Sequence, residues 1–200
     1  MEVIKHLLER ATNKDKAPYF IEGGRRENGL AGLLRDMGVK VGAEIGTERG
    51  LYAKCLLKTI PGLKLYCIDA WESYGDYRAR AKDRQITFYE EAKQRLSRYN
   101  CELIRAYSMD AVKVFEDESL DFVFIDANHD FAHATEDIAH WSKKVKKGGI
   151  VSGHDYFRKH VPDEQIHVKD VVTGWTYSYG INPWFVFTGD KGPSWAWVKQ

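Results

Sequence analysis

The chain has 200 residues, of which 44% are hydrophobic and 30% charged, with a formal net charge of +1. That length and composition suit one globular domain, residues 1–200, with a single sizeable core. The balanced charge supplies no field favouring nucleic acid or a membrane surface, and the apolar runs are too short to span a bilayer.

The N-terminal Met1-Glu-Val-Ile-Lys-His-Leu-Leu8 starts an amphipathic helix over residues 2–12, with Val3, Ile4, Leu7 and Leu8 on one face, and does not read as a secretory leader. Residues 13–27 are polar and irregular, including Gly23-Gly-Arg-Arg26, and read as a surface connection placed as a flap beside a ligand site. A second helix is predicted at about 28–37, with Leu30, Leu33 and Leu34 inward and Met37-Gly38 as its stop. Residues 1–38 are therefore expected to form a helical cap on an α/β core of residues 39–200.

The core opens with Val39, Val41, Ala43 and Ile45 alternating with smaller or polar residues, a short buried strand. Gly46 and Gly50 bracket a tight loop, and Leu51 to Lys58 has helical spacing. Such a loop lets a ligand approach bare backbone at a helix N-terminus. A second strand, Lys64 to Asp69, ends on a carboxylate 23 residues beyond Gly46, about the spacing at which an acid reaches a ribose hydroxyl. Gly42, Gly46 and Gly50 are four apart, unlike the G-x-G-x-x-G of dinucleotide sites. Glu44, inside the strand, would repel a pyrophosphate but suits a ligand carrying an amino group. A plainer alternative is a tight turn with Glu44 paired to a lysine or arginine.

Ala70 to Arg78 reads as a loop, Lys82 to Tyr99 as a helix and Cys101 to Tyr107 as a third strand. Ser108-Met-Asp110 is expected to cap a short helix. Leu120 to Asp126 is apolar on both faces, like a central parallel strand. The loop Ala127 to Asp130 leads into a helix ending near Lys147-Gly-Gly149, and Ile150 to Asp155 forms a fifth strand. A loop at 156–164, a helix at His167 to Thr173 and two strands, Asn182 to Thr188 and Ser194 to Val198, joined by a turn at Asp190-Lys-Gly-Pro193, complete the chain. This order predicts an α/β fold: a Rossmann-like, doubly wound, mostly parallel seven-stranded sheet with an antiparallel C-terminal hairpin strand. Ligands bind such sheets outside the carboxyl ends of the strands, where Glu44 with Gly46, Asp69, Asp126 and His154-Asp155 converge. Cys55, Cys67 and Cys101 form no C-x-x-C pair and read as buried free thiols of a cytoplasmic protein.

Ala43-Glu-Ile-Gly-Thr-Glu-Arg-Gly50, Tyr66-Cys-Ile-Asp-Ala-Trp71, Phe122-Val-Phe-Ile-Asp-Ala-Asn-His129 and Gly148-Gly-Ile-Val-Ser-Gly-His-Asp-Tyr156 together resemble a class I S-adenosylmethionine-dependent methyltransferase. The nearest flavour is the small bacterial type similar to the sugar and macrolide O-methyltransferases. The resemblance implies methyl transfer from S-adenosyl-L-methionine to an oxygen or nitrogen of a small-molecule acceptor. It implies that Glu44 and the backbone of Gly46, Thr47 and Gly50 hold the methionine end. Asp69 would take the ribose hydroxyls, Ala70 or Trp71 would pack on the adenine, and Ser108 and Met109 would lie at its edge, with Asp110 accepting from its amine. Asp126 would sit below the methionine part, facing the substrate. Physics agrees: a ligand with a sulfonium and an ammonium and no phosphate calls for acids, which these strand ends supply.

In the sugar-type relatives, carboxylates after strands four and five hold Mg²⁺. Asp126 and Asp155 match that pattern, but His154 and Asn128 stand where further acids would be. His129, three residues past Asp126, is a candidate base because imidazole titrates near neutrality; a helix-start histidine bonded to Asp126 or Asp130 is the structural alternative. His129-Asp-Phe-Ala-His133 imitates the zinc motif H-E-x-x-H but carries Asp for Glu at a loop–helix junction. Tyr74, Tyr77, Arg78 and Arg80, or the segment Tyr156 to Asp163, would form an acceptor lid. Nucleic acid is disfavoured as a partner and homo-oligomerisation is left open. The competing functions are an NAD-dependent Rossmann oxidoreductase and a non-catalytic nucleotide-binding module.

Overall fold

The computed structural model describes residues 2–22, 29–72, 82–161, 164–189 and 192–200. Gly23 to Arg26, Tyr74, Tyr77, Arg78, Arg80, Asp163 and the Asp190-Lys191 part of the tail turn lie outside the described residues. Among the described residues ten strands and seven α-helices follow one another: α1 (Glu2–Arg10), β1 (Tyr19–Glu22), α2 (Leu30–Asp36), β2 (Val41–Ile45), α3 (Leu51–Thr59), β3 (Lys64–Asp69), α4 (Lys82–Leu96), β4 (Cys101–Arg105), α5 (Ser108–Ala111), β5 (Leu120–Ile125), α6 (Phe131–Lys144), β6 (Val145–Gly153), β7 (Lys159–Val161), β8 (Glu164–Ile166), α7 (Val168–Ser178), β9 (Trp184–Thr188) and β10 (Ser194–Val198). Among these, no helix is long and apolar enough to cross a membrane.

The main sheet has eight strands in the order β4-β3-β2-β5-β6-β10-β9-β1. Only β10 runs against the rest: it pairs antiparallel with both β6 and β9, while β1 lies parallel to β9. The expected seven strands are all present, and the eighth corrects the reading of residues 13–27 as irregular. Tyr19 to Glu22 pairs with Phe185 to Thr188, because β9 would otherwise leave its backbone groups open at the sheet edge. Asn13 helps to hold the approach, its Oδ1 accepting from the Phe20 amide at 2.7 Å. The segment before residue 39 is thus not purely a helical cap, since it completes the sheet.

Strand alternation divides the core. Phe122, Phe124, Phe185 and Phe187 face α1, α2 and α3, whereas Val123, Ile125, Trp184 and Val186 face α6 and α7. Both faces are buried, as parallel strands with crossover helices require. Three local readings change. β6 begins at Val145, which pairs with Leu120 and is fully buried, with a register shift before Ile150. Lys159–Val161 and Glu164–Ile166 form a small antiparallel pair instead of a loop. α7 runs on to Ser178, because Val168, Val171, Val172 and Thr176 keep an inward stripe. The three cysteines are free, as expected, but Cys55 and Cys101 are only partly buried.

Candidate active site

The strand ends meet at one level because the backbone ladder continues past them. Gly46 and Thr47 amides donate to the Ile68 carbonyl at 2.8 and 3.2 Å, the Asp126 amide to Ile45 at 2.7 Å, and the His154 amide to Ile125 at 3.0 Å. The carboxyl ends of β2, β3, β4 and β5 thereby open on one cavity of about 650 Å³. Gly46, Thr47, Asp69, Ala70, Ser108, Met109, Asp126 and His129 all line it, as does Glu44.

Gly46 has φ +92°, and a Cβ there would overlap the Asp126 carbonyl, so the two loops touch only through a residue without a side chain. Glu44 is 2% exposed, and neither its Oε2 nor the Thr47 hydroxyl has a hydrogen-bond partner among the described residues. Burial raises the Glu44 pKa well above the ordinary range, and repulsion from Asp126 and Asp69 adds to it. Such a group gains by meeting a cation.

Asp69 is fixed by two amides: Oδ1 accepts from Trp71 at 2.7 Å and Oδ2 from Glu48 at 2.8 Å. Three of the expected contacts fall elsewhere. Trp71 is 1% exposed and does not line the cavity; its left-handed backbone, φ +46°, turns the indole inward to donate to the Glu48 carbonyl and pack on Tyr89. Ala70 alone of that pair borders the space. Gly50 also stands back, as the left-handed residue before α3, packed near Leu96. At β4, Tyr107 and not Ser108 precedes the first turn of α5. Ser108 Oγ instead donates to Asp137 of α6 and accepts from Trp141 Nε1 at 2.8 Å. Asp110 turns to solvent and pairs with Lys113 at 2.8 Å, outside the cavity.

Beyond β5 and β6 four side chains interlock. His129 Nε2 lies 3.1 Å from Asp126 Oδ1 and 3.3 Å from Asp155 Oδ2; His154 Nδ1 lies 2.9 Å from Asp155 Oδ1 and 3.9 Å from Asp126 Oδ2. Burial lowers the His129 pKa, but the Asp126 hydrogen bond and the Asp126 and Asp155 charges outweigh it, and the net shift is upward. Carboxylate and imidazole atoms of Asp126, His154 and Asp155 could converge on a metal within 4.8 Å of one another. They do not fit Mg²⁺. That ion takes a shell of oxygens, and here an imidazole stands in the set while the carboxylates are already engaged by the two histidines. The imitation zinc motif also comes apart, since His133 Nδ1 bonds Asp130 at 2.7 Å while His129 faces Asp126.

The reading from sequence passed over Asp137, a buried acid on α6 that lines the cavity. Its signal was present: Ala134, Ile138 and Trp141 share its helical stripe, and an acid among them is out of place. Glu48, Glu72 and Tyr107 also line the space, Tyr107 with its hydroxyl 3.3 Å from Glu72.

Residues 43–156, more than half of the chain, match a family model described as "Methyltransferase domain". No curated protein matches the chain by sequence. Similar solved structures include the O-methyltransferase of Bacillus cereus in complex with SAH, 18% identical with a TM-score of 0.61, the match covering 85% of this chain and 79% of that one. The O-methyltransferase of tomaymycin synthesis from Streptomyces achromogenes, solved with SAM, is 20% identical with a TM-score of 0.61, the match covering 86% of this chain and 78% of that one. At these identities the structural likeness establishes the fold.

Proposed function

The chain belongs to the methyltransferase-domain family, and we propose that it moves a methyl group from S-adenosyl-L-methionine to an oxygen atom of a small-molecule acceptor, in the cytoplasm. The observation that carries this reading is the charge of the cavity. Glu44, Glu48, Asp69, Glu72, Asp126 and Asp137 line it, whereas Arg49 is the one arginine or lysine among the described lining residues and is already bonded to Glu91 at 2.7 Å. A diphosphate would meet repulsion there; a sulfonium and an ammonium would not. The solved relatives described as O-methyltransferases, with SAH or SAM bound, support the same cofactor and an oxygen acceptor.

The residues present fit the cofactor. Glu44, with its unpartnered oxygen, would take the ammonium, and the loop at Gly46 and Thr47 leaves backbone bare beside it. Asp69, lining the cavity at the carboxyl end of β3, would accept from the ribose hydroxyls. Ala70, Ser108 and Met109, which line the cavity, would border the base. When bound, S-adenosyl-L-methionine supplies an electrophilic methyl carbon, open to direct displacement. The chain's part is then to align the acceptor oxygen with that carbon and to exclude water. His129 acts as base: with Nε2–H donated to Asp126, Nδ1 carries the lone pair that removes the acceptor's proton. Asp126 and Asp155 stabilise the imidazolium that results. No step is routed through a metal.

The test is methyl transfer from methyl-labelled S-adenosylmethionine to a set of hydroxylated small molecules. Label in an acceptor matched by an equal amount of S-adenosylhomocysteine is expected; label moving to amines and never to hydroxyls would contradict the assignment of oxygen.

A further inference from the structure

Asp137 has no role in the steps above, yet it is a costly residue. It sits on the inward stripe of α6, 3% exposed, and lines the cavity. The Ser108 hydroxyl donates to its Oδ1, and among the described residues no lysine or arginine pairs with it. Burial pushes its pKa up to about 6; Ser108 and His133 pull it down, and Glu136 and Asp130 push it up. A leucine in that stripe would pack with Ile138 and Trp141 and avoid the desolvation. The carboxylate is also held in place, because Ser108 is itself fixed by the Trp141 indole at 2.8 Å.

Its position gives the acid a target. β4 is the strand next to β3 and lies at the sheet edge. An adenosyl group whose ribose rests on Asp69 therefore carries its base outward over Ala106, Ser108 and Met109, where Asp137 opens on the same cavity. Asp110, the acid that the resemblance pointed to, is spent on Lys113 in solvent. A carboxylate with one hydroxyl donor has acceptor capacity left for an N–H.

We propose that Asp137 recognises the adenine of the cofactor, accepting a hydrogen bond from its exocyclic amine, with Ser108 holding the carboxylate in place. This rests on the adenosyl site argued above. The experiment is calorimetric titration of the full chain with S-adenosylhomocysteine and with S-inosylhomocysteine, whose carbonyl oxygen replaces the amine. The native chain should prefer the adenosyl compound by about ten- to a hundredfold, since the inosyl oxygen would face a buried acceptor. Asp137→Asn keeps the shape and the Ser108 bond and can turn its amide nitrogen toward the carbonyl, so the preference should shrink to a few-fold; Asp110→Asn should leave it intact. A preference that survives Asp137→Asn, or that moves with Asp110→Asn instead, overturns the inference while leaving the cofactor reading standing. Failure of the native chain to bind S-adenosylhomocysteine removes both.

Discussion

Replacing Asp69 tests how loop geometry and cofactor binding share one carboxylate. Its two oxygens accept from the Trp71 and Glu48 amides at 2.7 and 2.8 Å, tying the loop after β3 to the loop after β2. Asp69→Ala strands both amides, and an unsatisfied buried donor costs about 1–3 kcal/mol. These loops are partly solvated, so a loss of about 2 kcal/mol in all is expected, or a fall of about 4–8 °C in melting temperature for a domain of this size. The cofactor loses two hydrogen bonds to a charged acceptor, each contributing about 1.5–3 kcal/mol, so affinity should fall by about two to four orders of magnitude. Asp69→Asn keeps one acceptor oxygen and should fall between these limits in both quantities. Calorimetry with S-adenosylhomocysteine and thermal melts without ligand give the two numbers separately. If Asp69→Ala melts lower but binds the ligand within threefold of the native chain, Asp69 is a staple between loops and the ribose contact is wrong.

Other consequences follow from the same geometry. His129→Ala should lower the methyl-transfer rate by about 10²- to 10⁴-fold for acceptors that must lose a proton, with S-adenosylhomocysteine affinity unchanged; an equal loss on an acceptor that is already ionised would argue against a base. Prolonged chelation followed by desalting should leave the rate as it was, and recovery only on adding Mg²⁺ would show that the Asp126–His154–Asp155 cluster works as a metal site after all. Asp137 predicts a pH signature. Its pKa rises on folding from 3.8 to about 6, so the folded state holds the proton more tightly, and ionising it costs at most about 3 kcal/mol above that range. This penalty is absent below pH 3.8, grows as pH rises through the interval and is complete above about pH 6. Asp137→Asn removes it. The unliganded variant should melt above the native chain at pH 7.5, the gap closing as pH falls toward 4; a gap constant with pH would refute the buried ionisation.

The frame of this fold was legible because strong local patterns agreed with the tertiary outcome. Leu120 to Ile125 is apolar on both faces, and β5 lies in the middle of the sheet with helices on either side. The acids at the carboxyl ends of β3 and β5 were readable for a related reason: Asp69 and Asp126 end apolar runs, where a buried strand gives way to solvent. β1 was not readable. Of Tyr19 to Glu22 only Ile21 is buried, so alternation is nearly absent, and the strand exists because β9 offers it a partner far away in sequence. Trp71 misled for a local reason. An aromatic after a ribose-binding acid invites stacking on the base, but the turn that lets Asp69 accept the Trp71 amide also swings the indole into the core. Ser108 likewise belongs to α6 through Asp137, a partner that helical spacing places but residue order conceals.

The central claim is that a rim of acids at the carboxyl edge of the sheet receives an adenosyl sulfur compound. Isothermal titration of the native chain with S-adenosylmethionine, S-adenosylhomocysteine and NAD under one buffer tests it most directly. Saturable one-to-one binding of both sulfur compounds with no heat from NAD is the predicted result. Tight binding of NAD with neither sulfur compound bound would contradict it.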